Sequence, residues 1–140
     1  MKMNDYVFKE IREGMEASFE KIVTDEMIDD FSSMSGDVNP LHLDSEEAKR
    51  RGYDDKVVYG MLIGSFYSTL VGVYLPGKNA LLHGIDISFI KPVYSGQKLI
   101  ISGKVTYLNE AYKQIEIKAV VCNEDREKVS RAKIKVGVHE

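Results

Sequence analysis

The chain has 140 residues, of which 44% are hydrophobic and 29% charged, a composition that fits one globular domain over residues 1–140. Its 19 Lys and Arg against 22 Asp and Glu give a net charge of −3, so binding to a phosphate backbone is disfavoured. The single cysteine, Cys122, excludes an internal disulfide, and three histidines are too few for a typical zinc ligand set. We therefore expect a cytoplasmic protein without a metal.

The start of the chain and its longest apolar stretch are the two segments that could be export or membrane elements. Residues 1–19 carry charges throughout, unlike the basic and then apolar pattern of a signal peptide. Residues 57–75 are long enough to cross a bilayer, but they contain several Gly, Ser and Thr residues and end at Pro76-Gly77. We predict that this stretch is a buried helix and that the protein has no membrane partner.

The first third of the chain predicts a strand, a helix and a loop. Apolar and polar residues alternate over residues 15–23, which indicates a half-buried strand. Thr24 is a suitable N-cap for a helix that ends near Gly36. The apolar residues of this helix fall on one stripe, namely Met27, Ile28, Phe31 and Met34. Residues 37–40, Asp-Val-Asn-Pro, are typical of a loop.

The rest of the chain predicts one long helix followed by strands. Ser45 is a suitable cap for a short helix through Arg51, with Gly52 as its left-handed end. A helix over residues 57–75 has apolar residues around most of its circumference, so it should be buried. Strands are predicted over residues 80–90, 98–108, 112–122 and 129–138. One buried helix and about five mostly antiparallel strands make an α+β fold.

The residues best suited to chemistry are Asp37 and His42, five positions apart across a turn. A carboxylate and an imidazole that face one cavity could form a general acid/base pair. On composition alone a purely structural role is favoured. Asp, Asn and Gly are ordinary turn residues, and a single His beside leucines is more often a packing residue.

The wider sequence around this pair resembles the signature of the MaoC-like, R-specific enoyl-CoA hydratases. The similar segments, which are spread over residues 31–102, are Phe-Ser-Ser-Met-Ser-Gly-Asp-Val-Asn-Pro-Leu-His (31–42), Val-Val-Tyr-Gly-Met-Leu (57–62), Leu-Pro-Gly-Lys (75–78) and Phe-Ile-Lys-Pro-Val-Tyr-Ser-Gly (89–96). The resemblance implies a hot dog fold, in which an antiparallel sheet wraps one long central helix. It also implies an obligate homodimer, or a higher oligomer.

The resemblance assigns roles to residues of this chain. It implies that Asp37 and His42 are the catalytic pair and that the amide of Gly60 binds the thioester oxygen. It also implies that Ser68 helps to build the site, and Asn39 and Tyr59 are counted with the substrate-binding residues. No organic cofactor or metal is implied.

The function implied is hydration of trans-2-enoyl thioesters to (R)-3-hydroxyacyl-CoA, or the reverse dehydration. The substrate would be carried by CoA or by acyl carrier protein. Two alternatives remain open at this point, because fold does not fix function. One is an acyl-CoA thioesterase, and the other is a non-catalytic module that binds acyl thioesters.

Two positions depart from the family pattern. Tyr59 stands where relatives usually have His before the glycine, and a change of Tyr59 to His should be tolerated if only the following amide acts. Gln97 stands where many relatives have an acid, which is expected to affect a turn. The predicted helix also carries small residues at a spacing of four, for which close approach of strands is the favoured reason. These residues are Gly60, Gly64, Ser68 and Gly72.

Overall fold

The computed structural model describes residues 2–139, which form an α+β structure. A short 3₁₀ turn, Phe8–Glu10, precedes the first strand. The strands are β1 (Glu16–Ile22), β2 (Ala80–Phe89), β3 (Lys98–Asn109), β4 (Gln114–Cys122) and β5 (Lys128–Val138). The helices are α1 (Asp25–Ser35), α2 (Pro40–Leu43), α3 (Ser45–Arg50) and α4 (Gly60–Thr69), and a π-helical turn, Leu70–Tyr74, continues α4.

The five strands form one antiparallel sheet in the order β1-β3-β4-β5-β2. Strands β3, β4 and β5 are consecutive in sequence and pair as hairpins. Strand β2 pairs with β5 alone, so β1 and β2 lie at the two edges. On the inner rows of β3, β4 and β5, isoleucine and valine alternate with polar residues, and their side chains are buried against the helix.

Helix α4 and its π-helical turn are the centre around which the sheet curves. Four strands contact this segment, through Phe19 of β1 stacked on Tyr74 with ring centroids 5.1 Å apart, Ile87 of β2 beside Gly64, Gly103 of β3 beside Leu70, and Ser130 of β5 hydrogen-bonded to Tyr67. The Cδ1 atom of Ile87 packs against Gly64 and lies 3.2 Å from the position that a Cβ at residue 64 would occupy. Close approach of a strand therefore accounts for this glycine, as predicted.

The long helix begins three residues later than predicted. Residues 57 and 58 are extended, because the Val57 and Val58 amides donate to the carbonyls of Leu41 at 3.1 Å and Val93 at 2.8 Å. These partners are distant in sequence, so local periodicity cannot show them. Gly60 is therefore the first residue of α4 and does not lie inside a longer helix.

Other local predictions were close to the structure. Thr24 caps α1, accepting a hydrogen bond from the Met27 amide at 3.2 Å, and Gly36 ends the helix in the left-handed conformation. The predicted cap of the next helix was wrong by one residue, because the Asp44 carboxylate and not Ser45 accepts from the first-turn amides. Met34 was also misplaced, since its side chain is 77% exposed at the end of the α1 stripe.

Candidate functional site

The segment from residue 37 to residue 42, called the Asp–His segment below, follows α1 and includes the start of α2. Gly36 turns the chain with a φ of 79°, and Asn39 caps α2 by accepting a hydrogen bond from the Leu41 amide at 3.0 Å. Pro40 occupies the first turn of α2, where its missing N–H costs no hydrogen bond. The local sequence therefore fixes the backbone on both sides of Asp37 and before His42.

The imidazole of His42 is held by a backbone carbonyl. Its Nδ1 lies 2.6 Å from the carbonyl oxygen of Val57. A carbonyl can only accept, so Nδ1 carries the proton and the neutral ring has its lone pair on Nε2. The extended backbone at residues 57 and 58, which the sequence did not predict, therefore selects the tautomer of His42.

The carboxylate of Asp37 is exposed and is held on one side only. Its Oδ1 accepts a hydrogen bond from the Asn39 amide at 3.0 Å, a typical Asx turn. No other hydrogen bond or ion pair to this carboxylate occurs within residues 2–139, so Oδ2 is available to solvent or ligand. Asn39 uses its own side chain to cap α2, and this side chain is exposed.

A cavity of about 360 Å³ opens beside His42 and the start of α4. Its lining is mostly apolar and comprises His42, Tyr53, Val57, Val58, Gly60, Ile63, Phe89, Ile90, Lys91, Pro92 and Val93. Two of the predicted site residues, His42 and Gly60, thus share one cavity. Asp37, Asn39, Tyr59 and Ser68 do not line it.

Gly60 is the first residue of α4, so its amide points out of the helix end. The amides of Leu62 and Ile63 donate to the Tyr59 carbonyl, whereas no acceptor for the Gly60 N–H is present within residues 2–139. This N–H also lies at the positive end of the helix dipole. The ring of Phe89 covers the glycine, with three ring atoms 3.1–3.3 Å from an ideal Cβ position.

Ser68 is the predicted site residue that lies farthest from the others. It is exposed on α4, eight residues beyond Gly60, or about 12 Å along the helix axis. The structure does not bring its hydroxyl to the cavity of a single chain. Phe89 and Ile90 are cavity residues that the sequence analysis did not single out individually, although both belong to the family-like segment 89–96.

Gln97 has the turn role expected for it. Its side-chain Oε1 accepts a hydrogen bond from the Tyr94 amide at 2.9 Å, and its own amide donates to the Tyr94 carbonyl at 3.2 Å. An acid at residue 97 is therefore not needed to close this turn.

A larger depression, of about 630 Å³, lies on the outer face of the sheet. It is lined by small residues and by several cations, including Lys104, Lys118 and Arg131. None of the predicted site residues lies there. We assign the candidate site to the smaller cavity, because that cavity contains an imidazole and an unpaired helix amide.

Residues 2–139 contain neither a cluster of metal ligands nor a helix that could span a membrane. No group of three His, Cys, Asp or Glu side chains in this part of the chain is close enough to hold a metal ion. No helix within the same residues is long and apolar enough to cross a membrane.

An antiparallel sheet around a central helix, with the Asp–His segment contacting the start of that helix, defines a hot dog protein with a polar site. The MaoC like domain family matches residues 7–128, and the chain belongs to this family. The predicted family and fold are therefore confirmed.

Comparison with known proteins adds relatives of two kinds. The (R)-specific enoyl-CoA hydratase of Aeromonas caviae is 40% identical over 80 residues, which are 57% of this chain and 60% of that protein. A mitochondrial 3-hydroxyacyl-[acyl-carrier-protein] dehydratase of Arabidopsis thaliana is 31% identical over 80 residues, which are 57% of this chain and 47% of that protein. The chain thus aligns with about half of each relative's length. A hydratase and a dehydratase are both hydro-lyases, the enzyme class predicted from the sequence.

Solved structures agree with the fold. The unliganded R-hydratase PhaJ1 of Pseudomonas aeruginosa has a TM-score of 0.91 at 24% identity, over 97% of this chain and 87% of that one. The A. caviae hydratase has a TM-score of 0.88 at 28% identity, over 92% of this chain and 98% of that one.

Proposed function

We propose that the chain is a hydro-lyase that adds water to trans-2-enoyl thioesters, giving (R)-3-hydroxyacyl thioesters, or catalyses the reverse dehydration. The observation that carries the proposal is the pairing of a tautomer-fixed His42 with the free Gly60 amide in one cavity. The family and the names of the relatives support the same reaction class.

Asp37 and His42 each keep one atom free for a water molecule. Asp37 uses Oδ1 for the Asn39 amide and keeps Oδ2, while His42 uses Nδ1 for the Val57 carbonyl and keeps Nε2. Both free atoms are acceptors, and a water molecule has two O–H donors. A water held between them would present an oxygen lone pair to the substrate.

In the forward reaction the water oxygen attacks C3 of the enoyl thioester. A new C3–O bond forms, the C2–C3 π electrons move towards the thioester carbonyl, and Asp37 accepts one proton from the water. The enolate then collapses, and the proton that Asp37 took from the water is transferred to C2. One molecule of water is added, and no electrons are gained or lost.

Gly60 would stabilise the negative charge that develops on the thioester oxygen. An unpaired N–H at a helix start is already oriented and needs no reorganisation when charge appears. The absence of a side chain at residue 60 lets the Phe89 ring pack against the glycine, and both residues line the cavity that would hold the acyl group. The apolar lining from Val57, Ile63 and Phe89 suits the acyl part of a thioester.

The partner in this proposal is a second copy of the chain. Asp37 is exposed in the single chain, and a reactive enolate needs protection from bulk water. The start of α4 and strand β2 carry exposed apolar side chains. Four of them, Met61, Leu82, Ile85 and Phe89, are called the apolar flank below. Pairing through this flank would cover them.

The direct test is to mix the protein with crotonyl-CoA and to follow both the enoyl absorbance and free thiol. Loss of absorbance without thiol release is the expected result. Release of thiol would instead identify a thioesterase, and binding without either change would identify a non-catalytic acyl-thioester module. Repeating the assay with crotonyl-acyl carrier protein compares the two carriers.

Substitution of the proposed catalytic pair tests the assignment. Asp37→Asn and His42→Ala should each lower kcat by about 10²–10⁴-fold, the usual contribution of a general acid or base. Asp30→Asn, on the exposed face of α1, is the matched control and should retain full activity. Hydration at the normal rate by either of the first two variants would contradict the mechanism.

A further inference from the structure

Tyr59 contacts both members of the proposed catalytic pair without lining the cavity. Its side chain is 2% exposed, and it directly precedes Gly60 as the residue that flanks the start of α4. The side chain extends back over the Asp–His segment. Because Tyr59 is absent from the cavity wall, direct contact with substrate does not explain its burial there.

The hydroxyl of Tyr59 holds the backbone at Asp37. It donates a hydrogen bond of 2.5 Å to the Asp37 carbonyl, which also accepts one from Ser32 Oγ at 3.0 Å. Two donors from different elements therefore fix the orientation of the peptide that follows the catalytic carboxylate. Together with the Asn39 amide on Oδ1, they leave Asp37 little freedom to turn.

The ring of Tyr59 holds the imidazole of His42. The two rings are stacked with centroids 4.0 Å apart and planes 30° apart. Phe31 packs on Tyr59 as well, with a centroid distance of 4.8 Å, so the tyrosine ring is itself supported by α1. Stacking fixes the plane of the imidazole, and the Val57 carbonyl fixes its rotation within that plane.

We infer that Tyr59 is the positioning residue that sets Asp37 and His42 relative to each other and to the Gly60 amide. One side chain contacts both groups, and its own backbone continues directly into Gly60. The inference rests on the proposed function. It differs from the substrate-binding role first expected for Tyr59, because Tyr59 acts through the two catalytic side chains.

A positioning role for Tyr59 means that Tyr59→His should not be tolerated, whereas tolerance was expected if only the Gly60 amide acts. An imidazole is shorter than a phenol, so from the same position it can stack on His42 but cannot reach the Asp37 carbonyl. Replacement by the residue usual in relatives should therefore lower kcat in this chain. Misplacement of a catalytic group by a fraction of an ångström is enough to slow a reaction markedly.

The test separates the hydroxyl from the ring. Tyr59→Phe removes only the bond to Asp37 and should lower kcat about tenfold with little change in KM. Tyr59→Leu removes the stack as well and should lower kcat by about 10²-fold. Tyr74→Phe, a tyrosine at the far end of the same helical segment with no hydroxyl partner within residues 2–139, should behave like the unmodified chain.

A double-mutant cycle distinguishes positioning from a general loss of folded enzyme. If Tyr59 acts through Asp37, Tyr59→Phe should have almost no further effect in an Asp37→Asn background. A loss of folded protein would instead reduce activity by the same factor in both backgrounds. Equal factors, or a Tyr59→Phe variant with normal kcat, would overturn the inference.

A spectroscopic readout keeps the inference testable if the proposed reaction is wrong. The ring-proton NMR signals of His42 should be displaced by the stacked Tyr59 ring in the unmodified chain and in Tyr59→Phe, and should lose that displacement in Tyr59→Leu. Signals that stay unchanged in Tyr59→Leu would contradict the ring contact. Absence of hydratase activity together with the predicted change in the spectra would refute the function and leave the positioning role standing.

Discussion

At the scale of single residues, Gly60 combines two requirements in one position. Its amide must be free at the helix start, and its missing side chain makes room for the ring of Phe89. The free amide alone does not explain a glycine at the first residue of α4, where most residues are tolerated. The contact with Phe89 explains why even one methyl group matters here.

Gly60→Ala should fold but act poorly. The new Cβ would lie 3.1–3.3 Å from the Phe89 ring, so the ring must move towards the cavity. We expect kcat/KM to fall about tenfold with little loss of stability, as measured by steady-state hydration and thermal unfolding. The matched control is Gly64→Ala, whose only close contact is the flexible end of Ile87, and it should remain active.

Of the six predicted site residues, His42 and Gly60 line the candidate cavity, but their contacts could not be predicted. Asp37 and His42 stand out in the sequence because both residue types suit proton transfer and because the surrounding segment resembles a family. The Val57 carbonyl that fixes the tautomer and the Phe89 ring over Gly60 depend on pairings across more than ten residues of sequence. Such contacts leave no periodic signal in one chain.

At the scale of elements, one hydrogen-bonded chain links the central helix to two strands. The Tyr67 hydroxyl donates to Ser130 Oγ at 2.9 Å, and Ser130 Oγ donates to the Ser88 carbonyl at 3.0 Å. Both Tyr67 and Ser130 are buried. This chain joins α4 to β5 and β5 to the edge strand β2, on the side of the sheet that carries Phe89.

Tyr67→Phe should lower the free energy of unfolding by about 1 kcal/mol at neutral pH, the usual net value of such a bond. Desolvation by burial raises the pKa of Tyr67, although its bond to Ser130 opposes the shift. The unfolded chain therefore loses this proton first, near pH 10, and stability conferred by the neutral phenol falls as pH rises further. Urea unfolding between about pH 8 and about pH 11 should show a smaller decline in Tyr67→Phe than in the exposed control Tyr112→Phe.

Two glycines of the core region should respond oppositely to alanine. An ideal Cβ on Gly103 would lie 2.7 Å from Leu70 Cδ2 and 3.0 Å from Ile117 Cγ2, whereas nothing lies within 4 Å of one on Gly72. Gly103→Ala should therefore destabilise the protein by about 1–3 kcal/mol. Gly72→Ala should stabilise it by up to about 1 kcal/mol, and chemical denaturation of both variants gives the comparison.

Element type was predictable where the pattern is local, as in the alternation of β1 and the cap and left-handed end of α1. The start of α4 was not, because Val57 and Val58 read as helical by apolarity but pair with residues 93 and 94. A tertiary contact here overrides the local pattern.

At the scale of the whole molecule, the two sheet edges are unequal. Strand β1 presents mainly charged side chains to solvent, whereas β2 and the neighbouring flank of α4 present large apolar ones. An unpaired edge strand with an apolar flank favours association with another chain. A second copy offers the same strand and flank in return, which suits a two-fold pair.

Ile85→Lys should dissociate the proposed dimer. The lysine would place a charge within the apolar flank, and light scattering across a dilution series should then give the 15.8 kDa mass of one chain. Ile22→Lys is the matched control, because Ile22 is an exposed isoleucine on the opposite edge strand. A fully active 15.8 kDa species of the unmodified chain would show that the site needs no second copy.

The pairing of β2 with β5 alone also determines when the cavity can form during synthesis. Asp37, His42 and Gly60 all emerge from the ribosome early, but the opposite wall of their cavity includes Phe89 and Ile90. That wall is held through β5, where the Ile90 amide donates to the Val129 carbonyl at 2.9 Å. A nascent chain that ends before Val129 therefore carries the Asp–His segment without a binding cavity, and during that interval the apolar surface of α4 needs protection from other chains.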